Sequence, residues 1–121
     1  MNNNIFDLTG KTALITGAGG LLGPKHAEAI IEFGGKVILT DWHEDRAKQK
    51  SLELNEKYGA DSTTWHYMDV TSKDSIENVV KQYDRIDILI NNAAKDPKVK
   101  KEAGLTCCGE RYFLLFPSCF K

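Results

Sequence analysis

At 121 residues, with 41% hydrophobic and 27% charged side chains, the chain has the size of one domain and could bury about 65% of its unfolded surface. Sixteen basic and seventeen acidic residues leave a formal net charge of -1, and the lysines are scattered apart from the short Lys95 to Lys101 stretch, so no basic face points to a nucleic acid partner. The opening residues lack a charged region followed by an apolar stretch and a cleavage site, and no apolar run approaches the ~20 residues of a membrane span, so a soluble cytoplasmic protein is expected.

Short β-type runs alternate with helix-period segments along the chain. Thr12 to Thr16 reads as the first strand, followed by a glycine turn and then by a helix on which Gly23, Ala27, Ile30 and Gly34 recur at spacings of four and three. That places small residues on the side that must approach a sheet closely. Pro24 falls in the first helical turn, where backbone N–H groups have no intrahelical partner to lose, and Gly34-Gly35 supplies the stop. Lys36 to Thr40 follows as the second strand.

The second helix, about His43 to Tyr58, is charged on one side and carries Ala47, Leu54 and Tyr58 on the other. Thr63 to Met68 is the third strand. Thr71 with Asp74 reads as a capping pair for a third helix, whose buried stripe is Ile76, Val79, Val80 and Tyr83. Ile86 to Ile90 is the fourth strand. The order β-α-β-α-β-α-β, with right-handed crossovers, predicts an α/β fold with a parallel sheet of strand order 3-2-1-4 and helices on both faces. A crevice is then expected beside the glycine turn.

A pyrophosphate needs backbone N–H donors, the positive end of a helix dipole and an approach unblocked by side chains. Gly17, Gly20 and Gly23 after a strand and at the opening of a helix can provide all three, although the same triplet also serves a tight turn that binds nothing. The second strand ends in Asp41, near the ~20-residue spacing at which an acid meets an adenosine ribose. Asp41 with Glu44 could instead cap the second helix. A ribose-binding Asp41 would repel a 2′-phosphate, and the glycine turn carries no Arg or Lys to compensate. NAD is therefore expected over NADP, with Arg46 one turn later as the residue that keeps NADP open.

From about Phe6 to Ala94, and less completely to Leu105, the chain resembles the short-chain dehydrogenase/reductase superfamily. Asp7-Leu8-Thr9-Gly10-Lys11 looks like its lead-in, Thr16-Gly17 like the opening of its cofactor loop, and Asp69-Val70 like the pair that contacts the adenine ring. Asn91-Asn92-Ala93-Ala94 resembles its Asn-Asn-Ala-Gly, in which the first Asn props the central sheet and the alanine backbone lies near the ribose. By spacing alone, Asp69 could be a strand-end cap and Asn91-Asn92 a turn. The resemblance implies a Rossmann-like, NAD-dependent oxidoreductase. Its cofactor contacts would fall on Gly17, Gly20, Leu22, Gly23, Asp41, Asp69, Val70, Asn91 and Ala93, and a small-molecule substrate would be bound only in a full-length form.

Two departures qualify what the resemblance implies. Leu21 stands at the middle glycine of the main branch's Thr-Gly-x-x-x-Gly-x-Gly, so the glycine spacing is closer to the extended branch, whose members are often sugar-nucleotide epimerases and dehydratases. Asn-Asn-Ala belongs to the main dehydrogenase branch, which the larger number of motifs favours. The Gly-Gly-Leu-Leu-Gly variant is also similar to that of bacterial members tied to surface-sugar biosynthesis. The second departure concerns catalysis: the family transfers hydride with Tyr-x-x-x-Lys and a serine. Four residues after Tyr58, Tyr67, Tyr83 and Tyr112 stand Ser62, Thr71, Asp87 and Phe116. No catalytic residue is assigned, and no family-type turnover is expected of the chain as written. A catalytically silent dinucleotide-binding module is the alternative.

Residues 1–105 are thus expected to form a partial NAD(P)-binding domain and 106–121 an atypical tail, dense in Cys and Phe. A reading-frame shift near codon 106 would account for that tail. Alternatively, Tyr112 to Phe116 would pair beside the fourth strand as a substitute fifth, with Pro97 to Ala103 as the crossover helix. Cys107, Cys108 and Cys119 suit neither a disulfide framework nor metal-ligand spacing and read as free thiols. With His26, His43 and His66 unpaired in pattern, no metal is assigned.

Overall fold

Thr12–Thr16 and Lys36–Asp41 are near-continuous apolar runs, as strands covered on both faces must be. In the computed structural model, which describes residues 4–94, they form the centre of a four-stranded parallel sheet. The elements run β1 (Thr12–Thr16), α1 (Leu22–Glu32), β2 (Lys36–Asp41), α2 (Glu44–Tyr58), β3 (Thr63–Tyr67), α3 (Lys73–Val80) and β4 (Ile88–Ile90). The strand order is β3-β2-β1-β4, the one expected. Ala13 pairs in register with Val37 on one side and Ile88 on the other, and Val37 pairs in turn with Thr63.

Because strand side chains alternate, each central strand feeds two cores. Ala13, Ile15, Val37 and Leu39 meet Ala18, Ala27, Ile30 and Leu54 under α1 and α2. Leu14 and Ile38 meet Met68, Ile76 and Val79 under α3. The sheet-facing residues of β1 and β2 are almost completely buried, whereas Ile88, Leu89 and Ile90 of β4 are only half-buried. Among the described residues, β4 has a neighbour on its β1 side alone.

Several boundaries shift for local reasons. β4 begins at Ile88 because Asp87 does the pairing before it: its N–H donates to the Thr12 carbonyl at 2.8 Å and its Oδ2 accepts the Thr12 N–H at 3.0 Å. That Thr12 N–H, with Arg85 and Lys11 alongside, holds the Asp87 carboxyl below the usual carboxylate range. The cap of α3 is Ser72, whose hydroxyl accepts from the Ser75 N–H, instead of Thr71 with Asp74. Thr71 is diverted because both its N–H and its hydroxyl donate to Asp69 Oδ1, at 2.9 and 2.7 Å. Gly34 leaves the expected stripe of α1: the helix ends at Glu32, Gly34 is exposed, and Gly35 is buried against Ile30 instead.

α2 buries Ala47 and Leu54 as expected, and between them the unanticipated Ser51. Ser51 Oγ lies 2.7 Å from Thr63 Oγ1. Beside it the Asn55 side chain pairs with the Thr63 backbone like a neighbouring strand, donating to its carbonyl at 3.0 Å and accepting its N–H at 2.8 Å. This polar clamp docks α2 onto the edge strand. Asn55→Ala would strand both Thr63 backbone groups and is expected to cost about 2 kcal/mol in urea unfolding, with an unchanged denaturant slope.

At the same edge, His66 Nε2 lies 2.6 Å from the Tyr83 hydroxyl, which in turn lies 2.8 Å from Thr64 Oγ1. Burial pushes the His66 imidazole below its ordinary 6.5, against a smaller upward pull from Glu44. The fold therefore favours the neutral ring. Its contribution is fully present above the unfolded value and is lost as pH falls through the lower folded one. Between about pH 7 and 5, wild type should lose more stability than His66→Gln; parallel curves would clear His66 as a cause.

Candidate functional site

All four strands point their carboxyl ends at one cleft of about 700 Å³. The turn after β1 brings Gly17, Gly20, Leu21 and Leu22. The end of β2 and the start of α2 bring Asp41, Trp42, His43 and Arg46; Met68 to Thr71 come from β3, and Asn92 to Ala94 from β4. Seven of the nine residues singled out from the sequence meet there: Gly17, Gly20, Leu22, Asp41, Asp69, Val70 and Ala93. Gly23 and Asn91 do not line it.

The floor is set by Thr16, which is buried. Its hydroxyl accepts the N–H groups of Asn92 and Ala93, at 3.1 and 3.0 Å, fastening the exit of β4 to that of β1. Gly17 follows with φ +64°, and a Cβ there would stand 2.7 Å from Ala93 Cα. Asn92 completes the corner, its side-chain N–H donating to the Gly17 carbonyl at 3.1 Å. The side chain that ties this corner is thus Asn92, whereas Asn91 is exposed. Gly23 is buried under the turn, where a Cβ would meet Ala18 Cα at 2.6 Å. Its role within the fold is to let α1 sit close to the strand exit.

Gly20 is different, since a Cβ there would meet only the Gly17 carbonyl at 3.5 Å. The open space above it belongs to the cleft. The turn leads into α1, which has no side-chain cap and no acidic residue in its first turn, whereas α2 begins with Glu44 and Asp45. The positive end of the α1 dipole is therefore left for an external anion.

Asp41 is not the cap of α2, which is His43. Its Oδ1 accepts the His43 N–H at 2.7 Å and its Oδ2 accepts the Gly19 N–H at 2.9 Å. Spacing alone passed over Gly19, yet a Cβ on it would lie 2.6 Å from Arg46 Cβ and 3.0 Å from Asp41 Oδ2. Asp69 closes a small turn by accepting Thr71, and its own N–H donates to Ser75 Oγ at 2.9 Å. The cleft so built offers a helix end and glycine backbone for an anion, two carboxylates for hydroxyl or amine donors, and Leu22, Trp42, Met68 and Val70 as apolar walls.

Comparison with known proteins agrees with this architecture. The family model described as short chain dehydrogenase matches residues 11–106. The chain belongs to the short-chain dehydrogenase family. Among family relatives, the NAD(+)-dependent 15-hydroxyprostaglandin dehydrogenase of Macaca fascicularis is 38% identical over 90 residues, covering 71% of this chain and 34% of the relative. The 3-oxoacyl-[acyl-carrier-protein] reductase of Rickettsia bellii is 34% identical over 89 residues, 74% of this chain and 35% of that one. A hydroxysteroid dehydrogenase of Escherichia coli superposes with a TM-score of 0.66 at 28% identity, over 74% of this chain and 39% of its own. A Haemophilus influenza protein crystallised with bound NAD, described as a candidate D-mannonate oxidoreductase, gives 0.69 at 26% identity, over 78% of this chain and 36% of its own. The chain spans about a third of the length of the curated relatives it matches.

Within this short-chain dehydrogenase segment the described tyrosines lie away from the cleft. Tyr58 donates to Glu32 Oε1 and Tyr83 is bound to His66 and Thr64. No tyrosine lines the cleft among the described residues. Nor, among them, does any group of His, Cys, Asp or Glu stand where it could hold a metal, and no helix is long and apolar enough to cross a membrane. The Cys-rich tail, the substitute fifth strand at Tyr112 to Phe116 and the crossover helix at Pro97 to Ala103 lie outside the described residues. Gly17→Ala should lower stability by at least about 2 kcal/mol in chemical denaturation, since both the positive φ and the contact with Ala93 oppose it.

Proposed function

We propose that this chain is the cofactor-binding portion of a short-chain oxidoreductase and that it binds NAD in preference to NADP. The observation that carries this reading is the position of Asp41. It sits at the end of β2, on the rim of the cleft and hydrogen-bonded to the glycine turn. A dinucleotide would lay its pyrophosphate over Gly20 at the start of α1, its adenosine ribose against Asp41, and its adenine between Asp69 and Val70. Gly17 and Ala93 would flank the ribose nearer the nicotinamide, and Leu22 would face the ring. The relative whose name carries NAD(+) and the neighbour with bound NAD support the choice of dinucleotide.

Selectivity follows from charge. A carboxylate at the ribose repels a 2′-phosphate, and the turn itself has no cation to offset it. Arg46 lines the same cleft from the first turn of α2 and moderates that repulsion. NADH should bind at least about tenfold tighter than NADPH, read from Trp42 fluorescence and checked by calorimetry. Arg46→Ala should widen the gap, and tighter NADPH binding would move the assignment to NADP.

Hydride transfer is assigned only to a full-length form, in which the family's serine and Tyr-x-x-x-Lys would orient and protonate a small-molecule substrate. The 121 residues contain no Tyr-x-x-x-Lys, which favours the reading of this chain by itself as a silent binding unit. Purified chain should not oxidise NADH above background with carbonyl substrates; turnover would overturn that reading.

A further inference from the structure

The carboxylate of Asp41 makes two hydrogen bonds within the fold itself. One oxygen holds the N–H of Gly19, 22 residues earlier in the chain, and the other holds that of His43. The strand end that carries it is fixed on both sides: on the β3 side Asp41 is in register with Tyr67 and its carbonyl accepts the Met68 N–H at 3.0 Å, and on the β1 side the Thr40 carbonyl accepts the Ala18 N–H at 2.9 Å. The turn it reaches carries Gly17, Gly19 and Gly20, and glycines have the most backbone freedom to lose. Space confirms the fit. With a Cβ on Gly19 colliding with Arg46 and crowding Asp41 Oδ2, only a bare backbone brings that N–H within 2.9 Å of the acid.

We infer that Asp41 is a positioning residue for the phosphate-binding turn as well as the acceptor for ribose hydroxyls. This deepens the dinucleotide reading above and rests on it. A carboxylate has about four lone-pair sites, so each oxygen that accepts a backbone N–H keeps room for one hydroxyl of a ribose diol. The charge-assisted bond to Gly19 draws the turn into shape before a nucleotide arrives, and binding no longer has to order it. Recognition of the sugar and of the pyrophosphate thereby share one side chain.

A nucleotide without the diol separates the two roles. Calorimetry on the full chain would use ADP and 2′,3′-dideoxy-ADP, with hydrogen exchange of the Gly19 amide measured in the ligand-free protein. If Asp41 only accepts ribose hydroxyls, removing its negative charge leaves the binding of the dideoxy anion unchanged or tightens it. The positioning role requires the opposite sign. Asp41→Ala should bind dideoxy-ADP about tenfold more weakly and exchange its Gly19 amide about tenfold faster. Asp41→Asn, which keeps the shape and one acceptor oxygen, should fall between and guards against a folding defect in the alanine variant. Unchanged or tighter dideoxy-ADP binding with unchanged Gly19 exchange overturns the inference. A wild-type chain that binds neither nucleotide overturns the dinucleotide reading instead, and the inference falls with it.

Discussion

The corner where β1 and β4 leave the sheet is the constraint on which the cleft depends. A buried threonine hydroxyl accepts two N–H groups from the β4 exit, and Gly17 lies so close to Ala93 that a single methyl group would drive the two backbones apart. Everything above this corner inherits its position. The turn from Gly17 to Leu21 starts from it, α1 starts from the turn, and Gly23 lets that helix settle onto Ala18. Small residues here create a place where backbone, and not side chain, faces a ligand.

The sheet supplies the rigidity that this arrangement needs. Alternation sends Ile15 and Leu39 to one core and Leu14 and Ile38 to the other, so β1 and β2 are gripped from both faces. Their carboxyl ends cannot drift relative to each other, and the acid at the end of β2 stays at a fixed reach from the turn after β1. The outer elements are held by polar devices: the Ser51, Asn55 and Thr63 clamp docks α2 on β3, and Asp87 starts the pairing of β4. Such bonds are directional, and they set register and spacing where burial is less complete.

Charge is arranged around the cleft with the same economy. α2 and α3 carry acidic residues in their first turns and so complement their own dipoles, while α1 does not. The helix that opens beside the glycine turn is the one with its positive end still unmatched by a side chain. Two carboxylates stand further out, each tied to backbone N–H groups that keep it in place. An anionic centre flanked by hydroxyl or amine donors is the ligand shape to which this pattern is complementary.

Periodicity and glycine spacing determined the order of elements and the strand order 3-2-1-4, and together with the family's motifs they named nine candidate residues of which seven line the cleft, because each depends on local pattern or on a topological rule that leaves few alternatives. The short-chain family was legible for the same reason, since its motifs are contiguous stretches at strand ends. What only the tertiary structure decided were contacts between segments far apart in the chain. Gly19 gains its meaning from Asp41 and Arg46, 22 or more residues later, and Ser51 from Thr63 on the next strand. Asn92 rather than Asn91 ties the corner because the pleat at the end of β4 turns one side chain to Gly17 and its neighbour to solvent. Hydrogen bonds of this kind depend on ångström-scale distances between elements, and these exist only after the sheet has packed.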